Sequence, residues 1–417
     1  MYNGAEKRNG KGLRCSICTG CGLCAGVSGR ERSEGLHVLT EDALYGENLP
    51  LNGGNRRLVA ADIGTTTVAM LLYREDGTVE DRYVAVNPQT VYGADVLSRI
   101  RAAETAACAA DMCGMVREIL RRGLERFQRK LSAGERLFMM LAANTTMTYL
   151  LRGLDPAELG RAPFFARHLE PAELVIADVP CFVFSGFSAF VGGDIAAGAY
   201  ACGMAERDEL TLLVDLGTNG EMMLGGRKGR IACATAAGPA FEGGASRGVW
   251  GADMVSLLAL LRREGILDET GLLAEAYFEK GIRAGNVLVT QEAVRGIQLA
   301  KAAVTAGIEV LLRRYGAGAA QVERVVLAGG FGYYLKPADA AEIGLLPETL
   351  AGKAVAGGNT ALSGCLKGGR LLFSEGEEAL RGRLKELTEG TGIVNLAEEP
   401  EFNEIYINSM KLAKTEY

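Results

Sequence analysis

Three glycine-rich turns and one cysteine loop are the places in this sequence where residue types and spacing could do chemistry. Two turns share one pattern, an apolar run ending in Asp, then Gly and Thr: Asp62, Gly64, Thr65 and Thr66 in the first, Asp215, Gly217, Thr218 and Asn219 in the second. Each Asp closes a run that reads as a strand, so its carboxylate projects from a strand end. A carboxylate in that position suits Mg2+ held through its water shell, because magnesium keeps most of its waters and takes few protein ligands. The Gly lets the backbone turn sharply and come close to a phosphate. The residues behind it offer peptide N–H groups and hydroxyls to phosphate oxygens. A third turn, Ala328-Gly329-Gly330-Phe331, ends the apolar run VERVVL, and its small residues leave room for a nucleobase and ribose. Asp62 and Asp215 are therefore the candidate catalytic carboxylates, holding magnesium through water, and the three turns are a candidate nucleotide cradle.

Cys15, Cys18, Cys21 and Cys24 follow C-x2-C-x2-C-x2-C. In a reducing compartment such a cluster points to metal rather than disulfides. Spacers this short let one loop wrap a [4Fe–4S] cubane. The bacterial ferredoxin run is C-x2-C-x2-C-x3-C-P; here the last spacer is one residue shorter and Ala25 stands where the proline would be. The first three cysteines thus suit a cubane, and the fourth ligand is Cys24 or a cysteine from elsewhere in the chain. Zinc is the alternative, although structural zinc sites usually split their cysteines into two separated knuckles. Cys108, Cys113, Cys181, Cys202, Cys233 and Cys365 are scattered through apolar text and are expected as small buried residues. His37 and His168 stand alone, which argues against a histidine metal site or a Cys–His nucleophile.

Elements must position these groups. LVAADIGTTTVAMLLYREDGTV, from Leu58, reads as strand, tight turn, strand and a hairpin turn at Asp76-Gly77. Helical periodicity follows over 94–131, then an apolar strand running into a capped helix over 135–151, then strand text at LVIADVPCFVFSGF. The alternation of Phe182 and Phe184, with Phe187 and Phe190 beyond, fits strand packing better than a docking surface. TLLVDLGTNGEMMLGGRKGRI then restarts the pattern, so ADIGTTTVAMLL and VDLGTNGEMML form an internal repeat. Two copies of one hairpin unit predict two similar lobes facing each other across a cleft. A long helical region is expected over 254–315, GNTALSGCL opens a helix, and EFNEIYINSMKL is a terminal strand or helix. The expected division is 1–57, a Cys-rich module and linker with its open boundary at LNGGNRR; 58–205, a first lobe; and 206–417, a second lobe with a C-terminal tail.

The 417 residues are 48% hydrophobic and 23% charged, with a formal net charge of -6. No long basic patch argues for a nucleic-acid partner. No apolar run approaches the ~20 residues needed to span a bilayer. MYNGAEKRNGKG has no apolar segment behind it, so no signal peptide is read and a cytoplasmic location is expected. A Walker P-loop and a dinucleotide-binding G-x-G-x-x-G after the first strand are both absent from the sequence.

The three turns in this order resemble the actin-like ATPase, heat-shock chaperone and sugar-kinase superfamily, over roughly residues 58–370. The resemblance implies an α/β fold of duplicated actin-like (ribonuclease H-like) lobes around a nucleotide cleft that binds ATP and Mg2+. AANTTMTYLLRGLDPAELGRAPF, SGFSAFVGGDIAAG, CATAAGPAFEGG and LAGGFG further resemble the ATPase domain of reductive activators of corrinoid proteins. That family couples ATP to transfer of a low-potential electron onto an inactive cob(II)alamin enzyme. By this resemblance Asn144, Thr145 and Thr146 belong to the first lobe's side of the cleft, and Asp194 lies near the metal–phosphate region. Gln298 and Lys301, at i and i+3 of a helix, would reach the nucleotide, Lys301 being equally consistent with a helix-surface lysine. CATAAGPAFEGG is either a phosphate-side or interface loop or a buried one. A client metalloenzyme, a corrinoid protein by resemblance, and an electron donor such as a ferredoxin are the implied partners, and a homodimer is compatible. The chain departs from the family in its N-terminus: a larger [2Fe–2S] ferredoxin domain, a linker and a middle domain usually precede the ATPase, whereas only about 57 residues do so here. Two other readings stay open on the same fold. A small-molecule kinase would need a substrate pocket and gives no reason for the cysteine loop. A zinc-stabilised nucleotide-gated sensor or scaffold would show zinc on metal analysis.

Overall fold

The computed structural model describes residues 40, 49–217, 219–238, 240–241, 251–284 and 287–414. The four cysteines of the N-terminal loop, Thr218 and the last residues of CATAAGPAFEGG lie outside the described residues.

The first sheet comprises β1 (Arg56–Ile63), β2 (Thr67–Tyr73), β3 (Val79–Val86), β4 (Arg136–Ala143), β5 (Ala172–Ile176) and β6 (Val179–Val183), in the order β3-β2-β1-β4-β6-β5. The second comprises β7 (Thr211–Leu216), β8 (Gly220–Gly226) and β9 (Gly229–Thr235). After the separate hairpin β10 (Ile282–Ala284) and β11 (Val287–Val289), it is completed by β12 (Arg324–Ala328), β13 (Ala354–Gly358) and β14 (Thr391–Ile393). Its order, β14-β9-β8-β7-β12-β13, contains the same unit: a three-strand antiparallel meander whose first strand pairs in parallel with a fourth, and that with a fifth. The repeated hairpin text is thus a repeated lobe, and the molecule has the mixed α/β, two-sheet actin-like fold expected.

Helices complete the layers: α1 (Val96–Ala103), α2 (Ala106–Gln128), α3 (Thr145–Arg152), α4 (Gly193–Cys202), α5 (Gly251–Arg263), α6 (Gln291–Tyr315), α7 (Gly329–Tyr334), α8 (Thr360–Glu375) and α9 (Glu377–Glu389). The strand period of two sorts each central strand between two cores. In β1, Val59, Ala61 and Ile63 face the outer core with α2 and α3, while Leu58 and Ala60 face an inner core. In β7, Leu212, Val214 and Leu216 face the outer core of the second lobe, and Leu213 faces the inner one. The inner core is common to both sheets and is filled by α4 and α8. α4 reads GDIAAGAYAC, apolar on every side beyond Asp194 in its first turn, as a largely enclosed helix must be. α8, though late in the chain, packs on β1 and β4 of the first sheet, while α4 reaches β7 and β8 of the second.

Several expectations change. The helical region over 254–315 is interrupted, because Ile282–Ala284 and Val287–Val289 pair as a hairpin between α5 and α6. The boundary at 51–57 is not open chain: Leu51 is buried, its N–H donates to Glu75 O at 2.8 Å, and β1 already begins at Arg56. The sequence GGFG is the first turn of α7 rather than a loop. EFNEIYINSMKL resolves as a helix, Phe402–Asn408. Phe182 and Phe184 pack in the inner core as expected, whereas Phe190 is exposed and meets Phe164 edge-on at 5.1 Å. Cys181, Cys202, Cys233 and Cys365 are buried; Cys108 and Cys113 are only partly so. Among the described residues no helix is long and apolar enough to cross a membrane.

Candidate functional site

Strand alternation decides where the two aspartates point. Asp62 shares the face of Leu58 and Ala60, and Asp215 shares the face of Leu213, so both carboxylates emerge into the inner layer between the sheets. The antiparallel register sets Glu221 of β8 directly opposite Asp215, on the face of Met223. The equivalent partner of Asp62 is Ala69. Asp194 enters from the first turn of α4. Four carboxylates therefore converge at the open end of the inner layer.

Their electrostatics reflect burial first and, for three of them, one another's charge after it. Removal from water pushes Asp62 up to about 6, although Asn359 Nδ2 donates to its Oδ2 at 2.8 Å and opposes the rise. Desolvation raises Asp194 to about 7; the Ile195 N–H opposes this at 2.8 Å, and the Asp62 charge adds to it. Asp215 is likewise raised to about 7, by desolvation and then by Asp194 and Asp62. Glu221 is pushed well above the usual range by desolvation, then by Asp194, Asp215 and Asp62. Each side chain keeps some solvent-facing surface but is walled in by protein, as at the bottom of a cleft. Such a set repels itself unless a cation joins it. All its donors are hard oxygens, which suits magnesium. Among the described residues no three acidic, histidine or cysteine side chains converge tightly enough to hold a bare ion, so the arrangement suits an ion that keeps its waters.

Around the carboxylates the turns are tightly built. Gly64 N–H donates to Thr67 O at 2.9 Å, and Gly217 N–H to Asn219 O at 3.0 Å. Thr65 is buried and its hydroxyl accepts from Asn144 Nδ2 at 3.1 Å, whereas Thr66 is exposed. Asn144 also caps α3, its Oδ1 accepting from Met147 N–H at 2.9 Å, so it braces the first turn while starting a helix. In the second lobe the strand beside Asp215 ends at Ala328, in register with it. Gly329 follows with φ +77, and a Cβ there would lie 2.5 Å from Asp215 Oδ1 and 2.7 Å from Leu216 O. Only glycine fits, both for the backbone angle and for the space. A Cβ on Gly330 would meet nothing within 4 Å, so the region beside it is open.

Some candidates point elsewhere. Phe331 is not at the cleft: it is buried in the second lobe's core, stacked on Phe241 at 4.2 Å, because the helical turn of α7 rotates its ring inward. Gln298 Nε2 donates to the carbonyls of Thr270 and Met410 at 2.9 and 3.0 Å, and Lys301 Nζ to those of Gly344 and Lys411 at 3.1 and 2.6 Å. Both are buried on the inward side of α6, tying the C-terminal segment down instead of reaching a nucleotide. Gln298→Ala is accordingly expected to lower the melting temperature while leaving Mg·ATP affinity within about two-fold, a combination that calorimetry and thermal denaturation check. Thr145 and Thr146 are buried, and the Thr145 hydroxyl donates to Ser188 O at 2.6 Å, so it serves the fold. Two site residues escaped the sequence reading. Glu221 is a lone acid in the apolar strand GEMMLGG, which is a legible signal. Asn359, recognisable only as a helix cap, also reaches Asp62 across 297 positions of sequence.

Residues 58–207 match the family model described as the RACo middle region, and residues 209–248 and 245–417 match that of the C-terminal domain of RACo, the ASKHA domain. The chain is 28% identical to a protein described as corrinoid activation enzyme RamQ of Eubacterium limosum, over 90% of this chain and 74% of that one. It is similar in structure to a reductive activator for a corrinoid, iron–sulfur protein, with a TM-score of 0.75 and 26% identity over 89% of this chain and 67% of that one. The expectation that the family's middle region is missing is thereby corrected, since it is what 58–207 matches.

Proposed function

The chain belongs to the RACo family of ASKHA-domain proteins, and on that premise we propose that it is an ATP-dependent reductive activator. In this reading, ATP binding and hydrolysis in the cleft drive a low-potential electron from an iron–sulfur centre to a partner metalloenzyme, a corrinoid protein. The observation that carries the nucleotide half is the convergence of Asp62, Asp194, Asp215 and Glu221 on one cation-seeking cluster between two lobes. Asp62 and Asp215 hold Mg2+ through its waters. The turns at Gly64–Thr66 and Gly217–Asn219 take the phosphates, and Gly329 and Gly330 border the adenosine. Glu221, held well above the usual carboxylate range by burial and by its acidic neighbours, faces Asp215 across the hairpin and is suited to orient the attacking water. Closure of the lobes around Mg·ATP and opening after hydrolysis give partner docking a nucleotide dependence.

Cys15, Cys18, Cys21 and Cys24 are the proposed ligands of a [4Fe–4S] cluster, which when bound supplies a one-electron carrier. Burial pushes the thiols of Cys181, Cys202, Cys233 and Cys365 upward, which disfavours the thiolate form a ligand needs at those four positions.

The test mixes anaerobically purified protein with a corrinoid iron–sulfur protein in its Co(II) state and a chemical reductant, and follows the Co(II) EPR signal. Loss of that signal only when Mg·ATP is present is the expected result. Loss at the same rate without ATP, or no loss in a sample carrying one zinc and no iron per chain, overturns the reading.

A further inference from the structure

The segment running from the end of β3 into the first turn of α1, NPQTVYGADVLSR, lines no part of the cradle described above. Yet three successive carbonyls of the first turn end on it. Asn87 Nδ2 donates to Gly64 O at 2.9 Å, Arg99 Nη2 to Thr65 O at 2.5 Å, and Asn87 N–H to Thr66 O at 2.9 Å. The donors are themselves fixed. Asn87 Oδ1 accepts from Gln89 N–H at 3.1 Å, and Gln89 Nε2 donates to Met112 O on α2 at 2.8 Å. Arg99 Nη1 donates to Gln89 Oε1 at 3.3 Å, and its Nε to Gly93 O at 3.0 Å. Asn87, Gln89 and Arg99 are all fully buried.

Two physical consequences follow. A trans peptide sets its C=O and N–H on opposite sides, so holding the carbonyls of Gly64 and Thr65 against this segment turns the N–H ends of the same two peptides the other way. Arg99, moreover, is a buried cation whose donors meet neutral oxygens and the Met147 sulfur; the Asp95 carboxylate partly offsets the cost of its burial, but no ion pair to Arg99 forms among the described residues. Burying a charge with only partial compensation is costly, and the proposed activity brings a further anion, the phosphate chain, to the first turn that Arg99 holds.

We propose that residues 87–99 form a positioning clamp for the first phosphate turn, in which Arg99 and Asn87 set the turn's peptides toward the phosphates and Arg99, only partly offset by Asp95, gains a further counter-charge from the bound nucleotide. This rests on the reading of the cleft as a Mg·ATP site. The four carboxylates and the clamp then divide the work: the acids hold the cation, and the buried guanidinium offsets the phosphates from behind the turn.

Arg99→Lys keeps the charge but loses the fork, and Asn87→Ala removes the donor to Gly64. Each is expected to weaken Mg·ATP binding by calorimetry about ten-fold or more, with cooperative melting retained. On the unsubstituted chain, Mg·ATP is expected to slow amide hydrogen exchange across 87–99 together with 64–67, a readout that needs no variant to fold. Parental Mg·ATP affinity in both folded variants overturns the clamp, as does protection of 64–67 with none across 87–99. A parent chain that binds no Mg·ATP overturns the nucleotide reading itself, and the clamp with it.

Discussion

Asp215→Asn and Asp62→Asn are each expected to lower Mg·ATP turnover by about 10–100-fold, the range for losing a group that holds a metal through its outer shell. Stability moves the other way, and the sign follows from proton binding. In the unfolded chain these carboxyls have the ordinary value of 3.8; folded without a cation, Asp62 rises to about 6 and Asp215 to about 7. Between those limits the folded chain holds more protons than the unfolded one, so stability falls as pH rises. The contribution is fully present below the unfolded value and is lost as pH passes through the 6–7 region of the folded values. Asp215→Asn removes one such loss. Its melting temperature relative to the parent is therefore expected to climb from about pH 5 to about pH 8 without nucleotide. Mg·ATP restores the balance in the parent by supplying the cation, so its binding releases protons, and calorimetry in buffers of different ionisation enthalpy measures that release. Turnover within two-fold of the parent, or a melting difference flat across that pH range, would contradict this account of the cluster.

The repeat ADIGTTTVAMLL/VDLGTNGEMML made both aspartates legible, because strand alternation and a Gly turn are local properties. Glu221 slipped past because the second hairpin is one residue shorter: Asp62 faces Ala69, seven positions on, whereas Asp215 faces Glu221, six on. An alignment of the two copies hides this pairing, but a register drawn within the second copy shows it. Gln298 and Lys301 failed for the opposite reason. Their i, i+3 spacing does put them on one face of α6, but that helix is enclosed along much of its length, and the face they share looks inward to backbone carbonyls of the C-terminal segment. Periodicity tells which residues share a face and not what the face meets. The same limit hid Asn359 and Arg99, whose partners Asp62 and Thr65 lie in another part of the chain. What remains unread by any local rule is therefore the set of contacts that brace the turns.

Gly364→Val is expected to destabilise the protein by at least about 3 kcal/mol, the upper end for overpacking, and to weaken Mg·ATP binding with it. A Cβ on Gly364 would lie 2.1 Å from Ala197 O and 2.4 Å from Ala197 C. These are backbone atoms of α4, so no rotamer change makes room; α4 and α8 must separate. The same crossing is tight from the other side, where a Cβ on Gly198 would lie 2.7 Å from Thr360 Oγ1. This helix pair fills the core common to both sheets, so stability is lost in both lobes at once. It also carries the site: α4 bears Asp194 in its first turn, and α8 is capped by Asn359, which holds Asp62. Moving the helices apart moves Asp194 from the other carboxylates and loosens Asp62, which is why affinity and stability should fall together. Gly382→Ala is the matched control. It lies in helix α9, where a Cβ would meet nothing within 4 Å, and replacing a helical glycine there is expected to be neutral or to stabilise by up to about 1 kcal/mol. Urea unfolding and Mg·ATP titration of both variants decide the matter. A Gly364→Val protein that unfolds with the parent's midpoint would show that the two helices are not the rigid link between the lobes, and a stable variant with lost affinity would place their role in the site alone.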